Sequence, residues 1–394
     1  MKYIITGLFI FVCSFVTAQT KYEKDFLAFW NDVNDNYAYL DQQKINWLKV
    51  KEIYSPLVKQ VSSQQAFIKF MEGVINECYN GHISLYTNLS TSNRIIPSGQ
   101  DIYVEKINHQ FVITDLRKGY KAEKSGLKIG DEILLFQGNA IESQLQQFLP
   151  KYTNTHTNDM YQYAINMLFA GTHNTNRILT INRNGTTITL NADSIKLSSK
   201  SSLLETKQLN QTTAYIKIKD ALGNFNLINL FDQALDSFLL FKNIIIDLTE
   251  TPGGGNTTVA RSIMGRFIHK ALPYQQHEFD ETIFQTKRQW VEYVTPRKTQ
   301  YKGNVYIMVG HWTGSMGEGM AIGFDGLKRA KIVGTSMAKL LGAVQGFTMT
   351  ETNIGFQIPT ERLYHINGIP REKFIPTIPT KNIEQTWNKI LQIK

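Results

Sequence analysis

Cysteine is nearly absent from this 394-residue chain, which has only Cys13 and Cys78. Cys13 falls in an apolar leader, so a chain that loses the leader keeps Cys78 alone and can form no internal disulfide. Cys78 lies in an apolar helical run, where a buried small hydrophobe is a better reading than a nucleophile. Proline is modest, at 10 residues, and no stretch is dominated by one residue type, which excludes a long disordered tail. Charge is spread rather than clustered: 42 Lys and Arg against 33 Asp and Glu give +9, without a basic run or basic-aromatic stripe. Nucleic-acid binding is therefore not expected. There is no His-Glu-x-x-His, no cysteine cluster and no Gly-x-x-x-x-Gly-Lys, so neither a metal nor a nucleotide cofactor is expected.

The first residues differ in kind. Met1-Lys2 gives a positive start, Tyr3 to Val16 is apolar apart from small residues, and Val16-Thr17-Ala18 supplies small side chains before Gln19. That layout predicts a cleaved secretory signal over 1–18 and an exported protein, periplasmic or secreted; an uncleaved anchor is the alternative. Beyond it, no segment approaches the roughly 18 continuous apolar residues of a membrane span.

Three regions follow. Residues 19–97 read as helical, with Phe26, Phe29, Trp30 and Val33, then Phe67, Phe70, Met71 and Val74, at three- and four-residue steps before the stop at Asn80-Gly81. Residues 98–195 read as β-rich, with short strands around Ile102–Val104 and Phe111–Ile113, a turn at Asn108-His109-Gln110, and later strands near Ile178–Ile181 and Thr186–Leu190. Residues 196–394 read as alternating strands and helices. Ile244–Leu248 and Val305–Val309 are apolar runs suited to strands buried on both faces of a parallel sheet, and each ends in a glycine-bearing loop.

Four segments in this order carry a resemblance to the C-terminal processing (tail-specific) serine peptidases, including their tricorn-like branch. Asn80-Gly81-His82-Ile83-Ser84 is similar to the family's Asp-Gly-His-(Thr/Ser) stretch. Ala122 to Leu134, with Ser125-Gly126-Leu127 and Gly130-Asp131, resembles its PDZ domain. Asp247-Leu248 through Pro252-Gly253-Gly254 resembles its Asp-Leu-Arg-x-Asn-x-Gly-Gly motif, and Thr313-Gly314-Ser315-Met316-Gly317-Glu318 its nucleophile segment. The resemblance implies an α/β, multidomain fold: a helical N-terminal region, a PDZ-like domain over 98–195, and a peptidase core over 196–394 related to the crotonase-like ClpP fold. It implies an exported endopeptidase acting through an acyl-enzyme on peptides or unfolded proteins bound by their C-termini. A non-catalytic ligand- or peptide-binding protein on the same fold is the alternative.

A serine needs a base to remove its proton and donors to hold the oxyanion. Ser315 follows a buried strand and precedes a helical run, so it is a candidate nucleophile or simply a helix N-cap. Candidate oxyanion donors are the N–H groups of Met316 and of the Gly253-Gly254-Gly255 loop, within which the resemblance selects Gly254. For the base, the resemblance offers His82, as in the tricorn-like branch, or Lys339, near the position used by the Ser–Lys branch but in a different spacing. A His is the ordinary base near neutral pH. By resemblance Glu372 is the His-orienting carboxylate, a surface ion pair with Arg371 or Lys373 being the other reading. Where the tricorn-like branch has a serine before its His, this chain has Gly81, for which Ser84 could substitute. Glu318, one turn after Ser315, is expected to organise the helix start.

Overall fold

A computed structural model describes residues 19–197 and 202–393. The expected secretory signal at 1–18 lies outside the described residues. The fold is mixed α/β and built around three sheets.

The sheet that positions the site has six strands. In spatial order they are Ile378–Pro379, Lys331–Gly334, Asn304–Val309, Asn243–Asp247, Thr213–Ile218 and Leu204–Asn210. The first five run parallel and the last antiparallel. Every residue of Asn243–Asp247 is buried, because both faces of the sheet are covered. On one face Ile216, Ile244, Ile246 and Ile307 pack with Phe231, Ile263, Met320 and Phe324 from the helices Asn226–Ser237, Thr257–Met264 and Met316–Gly326. On the other, Tyr215, Ile245, Met308 and Val333 meet Trp387 and Ile390 of the C-terminal helix Ile383–Leu391.

The N-terminal helices are Lys21–Asn36, Trp47–Val58 and Gln64–Asn76. The first opens on a capping box, with Glu23 N–H donating to the Thr20 hydroxyl and Thr20 N–H to the Glu23 carboxylate. Phe26, Phe29, Phe67, Met71 and Val74 bury against Met349, Phe356 and Ile358. Those three residues belong to a five-stranded antiparallel sheet made of Ser84–Leu85, Ala343–Met349, Ile354–His365, Leu272–Glu281 and Thr286–Val294. This sheet departs from the strand–helix alternation expected after residue 196. Leu272–Glu281 reads Gln-Gln-His-Glu-Phe-Asp-Glu over most of its length, and its partner Thr286–Val294 is a largely exposed edge. The first buries mostly polar side chains, Gln275, His277 and Glu278, and the second buries little, so neither carries an apolar run to announce it.

Between these parts, strands Ile102–Ile107, Gln110–Leu116, Glu132–Phe136, Ile178–Arg183 and Thr186–Asn191 form a third sheet, with Asn139–Ala140 paired to Glu132–Phe136. The first turn is tighter than expected. Asn108 and His109 both have positive φ (48° and 68°) and Gln110 already pairs with Ile107. Helix Asn158–Ala170 packs here although the sequence reading placed only strands in this region. The third sheet meets the parallel sheet through the buried Arg117–Glu250 ion pair (2.9 Å) and through Tyr103, whose ring stacks on His311 at 3.6 Å.

Candidate active site

Strand Asn304–Val309 ends in Gly310-His311-Trp312-Thr313-Gly314-Ser315, and helix Met316–Gly326 begins at once. The turn is pinned from inside: Gly310 N–H donates to the Thr313 hydroxyl, which donates to the Leu248 carbonyl at 2.9 Å, and Gly314 N–H donates to the Thr251 carbonyl. A Cβ on Gly314 would stand 2.8 Å from the Pro252 carbonyl oxygen, so only glycine fits there. The turn leaves Ser315 at φ 51°, ψ −113°. This sparsely populated conformation costs about 1–3 kcal/mol and persists only where its surroundings enforce it. Glu318 is part of that enforcement, accepting from Ser315 N–H at 2.8 Å and Lys339 N–H at 2.9 Å. It thereby organises the helix start. Burial pushes its carboxyl up to about 7, against the pull of nearby Arg371 and of the N–H donors.

His82 comes from the segment between helix Gln64–Asn76 and strand Ser84–Leu85. After helix Gln64–Asn76 the chain turns at Asn80, whose side-chain oxygen accepts from His82 N–H at 3.0 Å, while Gln357 donates to the His82 carbonyl. The ring is bonded at both nitrogens: Nδ1 lies 2.9 Å from the Leu341 carbonyl oxygen and Nε2 lies 3.1 Å from Ser315 Oγ. A carbonyl can only accept, so Nδ1 carries the hydrogen and Nε2 presents its lone pair to the serine hydroxyl. Burial, followed by the positive charge of Arg371, lowers the His82 pKa to about 4. The imidazole is neutral at pH 7.

Each residue of the Gly253-Gly254-Gly255 run is glycine for a different neighbour. A Cβ on Gly253 would stand 2.6 Å from both Asp220 carboxylate oxygens, and one on Gly255 2.2 Å from the Leu222 carbonyl carbon. Gly254 has φ +73°, and its Cβ would stand 2.6 Å from Ser315 Cβ, 2.7 Å from Oγ and 3.6 Å from Met316 N. Gly254, Ser315 and Met316 therefore face one another. Among the described residues, neither Gly254 N–H nor Met316 N–H donates to a protein acceptor.

The remaining candidates are not at the serine. Lys339 is exposed, and its ammonium makes no hydrogen bond or ion pair among the described residues; only its backbone N–H reaches the site, through Glu318. Ser84 pairs with Gln357 in the antiparallel sheet. Gly81 has no room for the serine of the tricorn-like pattern, since a Cβ would stand 2.9 Å from the Ile96 carbonyl oxygen and 3.2 Å from Leu340 Cδ2. Glu372 needs correction as a direct partner of His82: it makes no side-chain hydrogen bond to the ring, whose Nδ1 is taken by the Leu341 carbonyl. It lines a cavity of about 550 Å³ together with Gly81, Lys339 and Leu341. Burial raises its pKa.

The residue that sequence reasoning missed is Arg371, taken there only as a neighbour of Glu372. Its buried guanidinium donates to the carbonyls of Leu340 (2.8 Å), Gly342 (3.0 Å) and Ser315 (3.3 Å), and lies 4.0 Å from Glu318. One side chain thus ties the Ser315 turn to the segment that holds His82. A lone arginine beside other charges gives no spacing signal from which this could be read.

Residues 212–380 match the family model of peptidase family S41, and residues 18–76 match that of the tricorn protease C1 domain. No curated protein matches in sequence. Among solved structures the chain is similar to mature CPAF complexed with lactacystin, at 13% identity and TM-score 0.65 over 94% of this chain and 96% of that one. It is also similar to the photosystem II D1 C-terminal processing protease, at 15% identity and TM-score 0.57 over 95% and 98%. A third similar structure is a candidate peptidase from Parabacteroides merdae, at 12% identity and TM-score 0.57 over 95% and 98%. These likenesses are of fold. The family match covers the parallel sheet, the glycine loop and the serine turn, so that from residue 212 to residue 380 the chain is a domain of peptidase family S41, a family of serine peptidases, and the protein is a peptidase.

Proposed function

We propose that the protein is an endopeptidase that cleaves through an acyl-enzyme on Ser315, with His82 as its base. The observation that carries this reading is the 3.1 Å approach of His82 Nε2 to Ser315 Oγ, with Nδ1 committed to a carbonyl. As Oγ attacks the peptide carbonyl carbon, its proton passes to Nε2, and the Nδ1–H bond keeps the ring aligned. The carbonyl oxygen becomes an oxyanion facing the free N–H groups of Gly254 and Met316, at the positive end of helix Met316–Gly326. Collapse breaks the C–N bond, and Nε2 returns the proton to the departing amine. Water, deprotonated by the same nitrogen, then hydrolyses the ester and regenerates Ser315.

Glu372 would act on His82 only indirectly, from the cavity it lines with Gly81 and Leu341, the residue whose carbonyl holds the ring. The unit over 98–195 is proposed as PDZ-like, taking the C-terminal end of a peptide or unfolded chain as an added strand. The glycines of its Ser125-Gly126-Leu127 and Gly130-Asp131 segment support this, with φ +95° at Gly126 and +96° at Gly130. The leader over 1–18 supports export to a periplasm or beyond.

The covalent step is tested by reaction with a fluorophosphonate at pH 7, followed by peptide mapping. One adduct, on the Ser315 peptide, is expected. Ser315→Ala should take up none, and His82→Ala should react at least ~100-fold more slowly, the usual contribution of a positioned base. An adduct elsewhere, or equal rates in the His82 variant, would remove the mechanism.

A further inference from the structure

The oxyanion loop does not hold itself in place. Residues 252–256 lie between the buried strand Asn243–Asp247 and helix Thr257–Met264, and Gly253 and Gly255 are exposed. Three glycines in succession leave the loop with more conformational freedom than any other tripeptide would. Something outside the run must select the one conformation in which Gly254 faces Ser315.

The neighbouring loop, residues 219–224, supplies that selection. It follows strand Thr213–Ile218, which lies beside Asn243–Asp247 in the sheet, so the two loops emerge side by side at the carboxyl ends of parallel strands. Asp220 accepts from the Gly253 N–H at 2.7 Å, a short charge-assisted bond. Both of its oxygens lie where a Gly253 Cβ would clash, so the carboxylate sits against the glycine. Further along, the Leu222 carbonyl accepts from Asn256 N–H at 3.2 Å, and Asn256 then caps the next helix by accepting from Val259 N–H at 3.0 Å. The loop is thus held at Gly253 by a carboxylate and at Asn256 by a carbonyl. Gly254 lies between these two anchors, at φ +73°.

From this geometry we infer that Asp220 is a positioning residue of the oxyanion hole, one that fixes the Gly253–Gly254 peptide so that the Gly254 N–H meets the tetrahedral intermediate. The inference rests on the acyl-enzyme reading above. Asp220 itself does not touch the reacting atoms. Its removal frees the loop to rotate, which weakens stabilisation of the transition state more than binding of the ground state. Asparagine keeps an acceptor oxygen at the same place, whereas alanine does not. The distinguishing pattern is a fall in kcat with KM held, reversed by the amide.

The experiment compares wild type, Asp220→Ala, Asp220→Asn and Ser315→Ala on a fluorogenic peptide. It also measures inhibition by a peptide boronate, which mimics the tetrahedral state, and thermal unfolding of each variant. Loss of one oxyanion donor costs about 10²–10³ in kcat, so disordering it through Asp220→Ala should lower kcat by ~10–100-fold. KM should stay within ~2-fold, boronate affinity should fall by the same factor as kcat, and Asp220→Asn should recover most of both. Unfolding temperatures should match wild type, because Asp220 is exposed. Wild-type kcat in Asp220→Ala would overturn this inference alone, as would an equally impaired Asp220→Asn. Absence of Ser315-dependent cleavage in wild type would overturn the peptidase mechanism and this inference with it.

Discussion

Replacing Gly254 by alanine should abolish turnover while leaving the protein folded. The added methyl would stand 2.6 Å from Ser315 Cβ and 2.7 Å from Oγ, distances that packed side chains do not reach. The backbone at φ +73° also disfavours any L-side chain. Relief requires the loop to rotate, and rotation takes the Gly254 N–H away from the oxyanion position proposed above. Loss of that donor alone costs about 10²–10³, and displacement of the serine should carry the fall in kcat beyond ~10³. Backbone strain should lower stability by no more than ~1–3 kcal/mol, which leaves a two-state melt to confirm folding. Gly223→Ala is the matched control, since among the described residues the one atom within 4 Å of its Cβ is the Gly255 Cα, at 3.8 Å. Substantial kcat in Gly254→Ala would mean that this loop does not hold the transition state.

The second large effect is expected from Arg371→Ala, which should act on stability and on the pH profile together. The buried guanidinium serves three carbonyls from two segments, and its loss leaves those acceptors and the nearby Glu318 without a cation. Breaking a buried charged network of this kind costs about 3–5 kcal/mol. The pH effect follows from His82. In the proposed mechanism only neutral His82 takes the serine proton, so activity should disappear as pH falls through its folded-state pKa, near 4 in wild type. Burial is the larger cause of that low value and Arg371 the second. Without Arg371 the acid limb of kcat/KM should move upward, towards the ordinary histidine range near 6.5. An acid limb unmoved in Arg371→Ala would show that the arginine charge is not felt at His82.

Two buried groups at this site also shift stability in opposite directions. His82 titrates lower in the folded state than in the unfolded one, so its contribution is present above about 6.5 and is lost as pH falls towards 4. Glu318 titrates higher when folded, so its contribution is present below about 4.5 and is lost as pH rises through 7.

Much of the frame was legible in the sequence because it rests on local pattern. Asn243–Asp247 and Val305–Val309 announce parallel strands because both faces are buried, and the three- and four-residue apolar steps announce two of the N-terminal helices. The resemblance offered both His82 and Lys339 as the base, and it is His82 that the fold brings to Ser315, across 233 residues of sequence. What stayed hidden depends on contacts that leave no periodic trace. The antiparallel sheet buries too little of Thr286–Val294 to show an apolar run. The group that orients His82 is a main-chain carbonyl, Leu341, which has no side-chain signature; the carboxylate sought in its place, Glu372, faces a cavity instead. Arg371 and Asp220 matter through backbone atoms distant in sequence, and neither lies in a motif. The glycine run was legible as a flexible turn, but its three separate neighbours were not.

The central claim is that Ser315 and His82 form one hydrolytic unit, and cleavage itself tests it most directly. Wild type, Ser315→Ala and His82→Ala, each beginning at Gln19, would be incubated with an unfolded-protein mixture, and new peptide termini identified by mass spectrometry. The account predicts new termini with wild type and none above background with either variant. Undiminished cleavage by His82→Ala would contradict the assigned base and return attention to Lys339. Cleavage by Ser315→Ala equal to wild type would contradict the account as a whole.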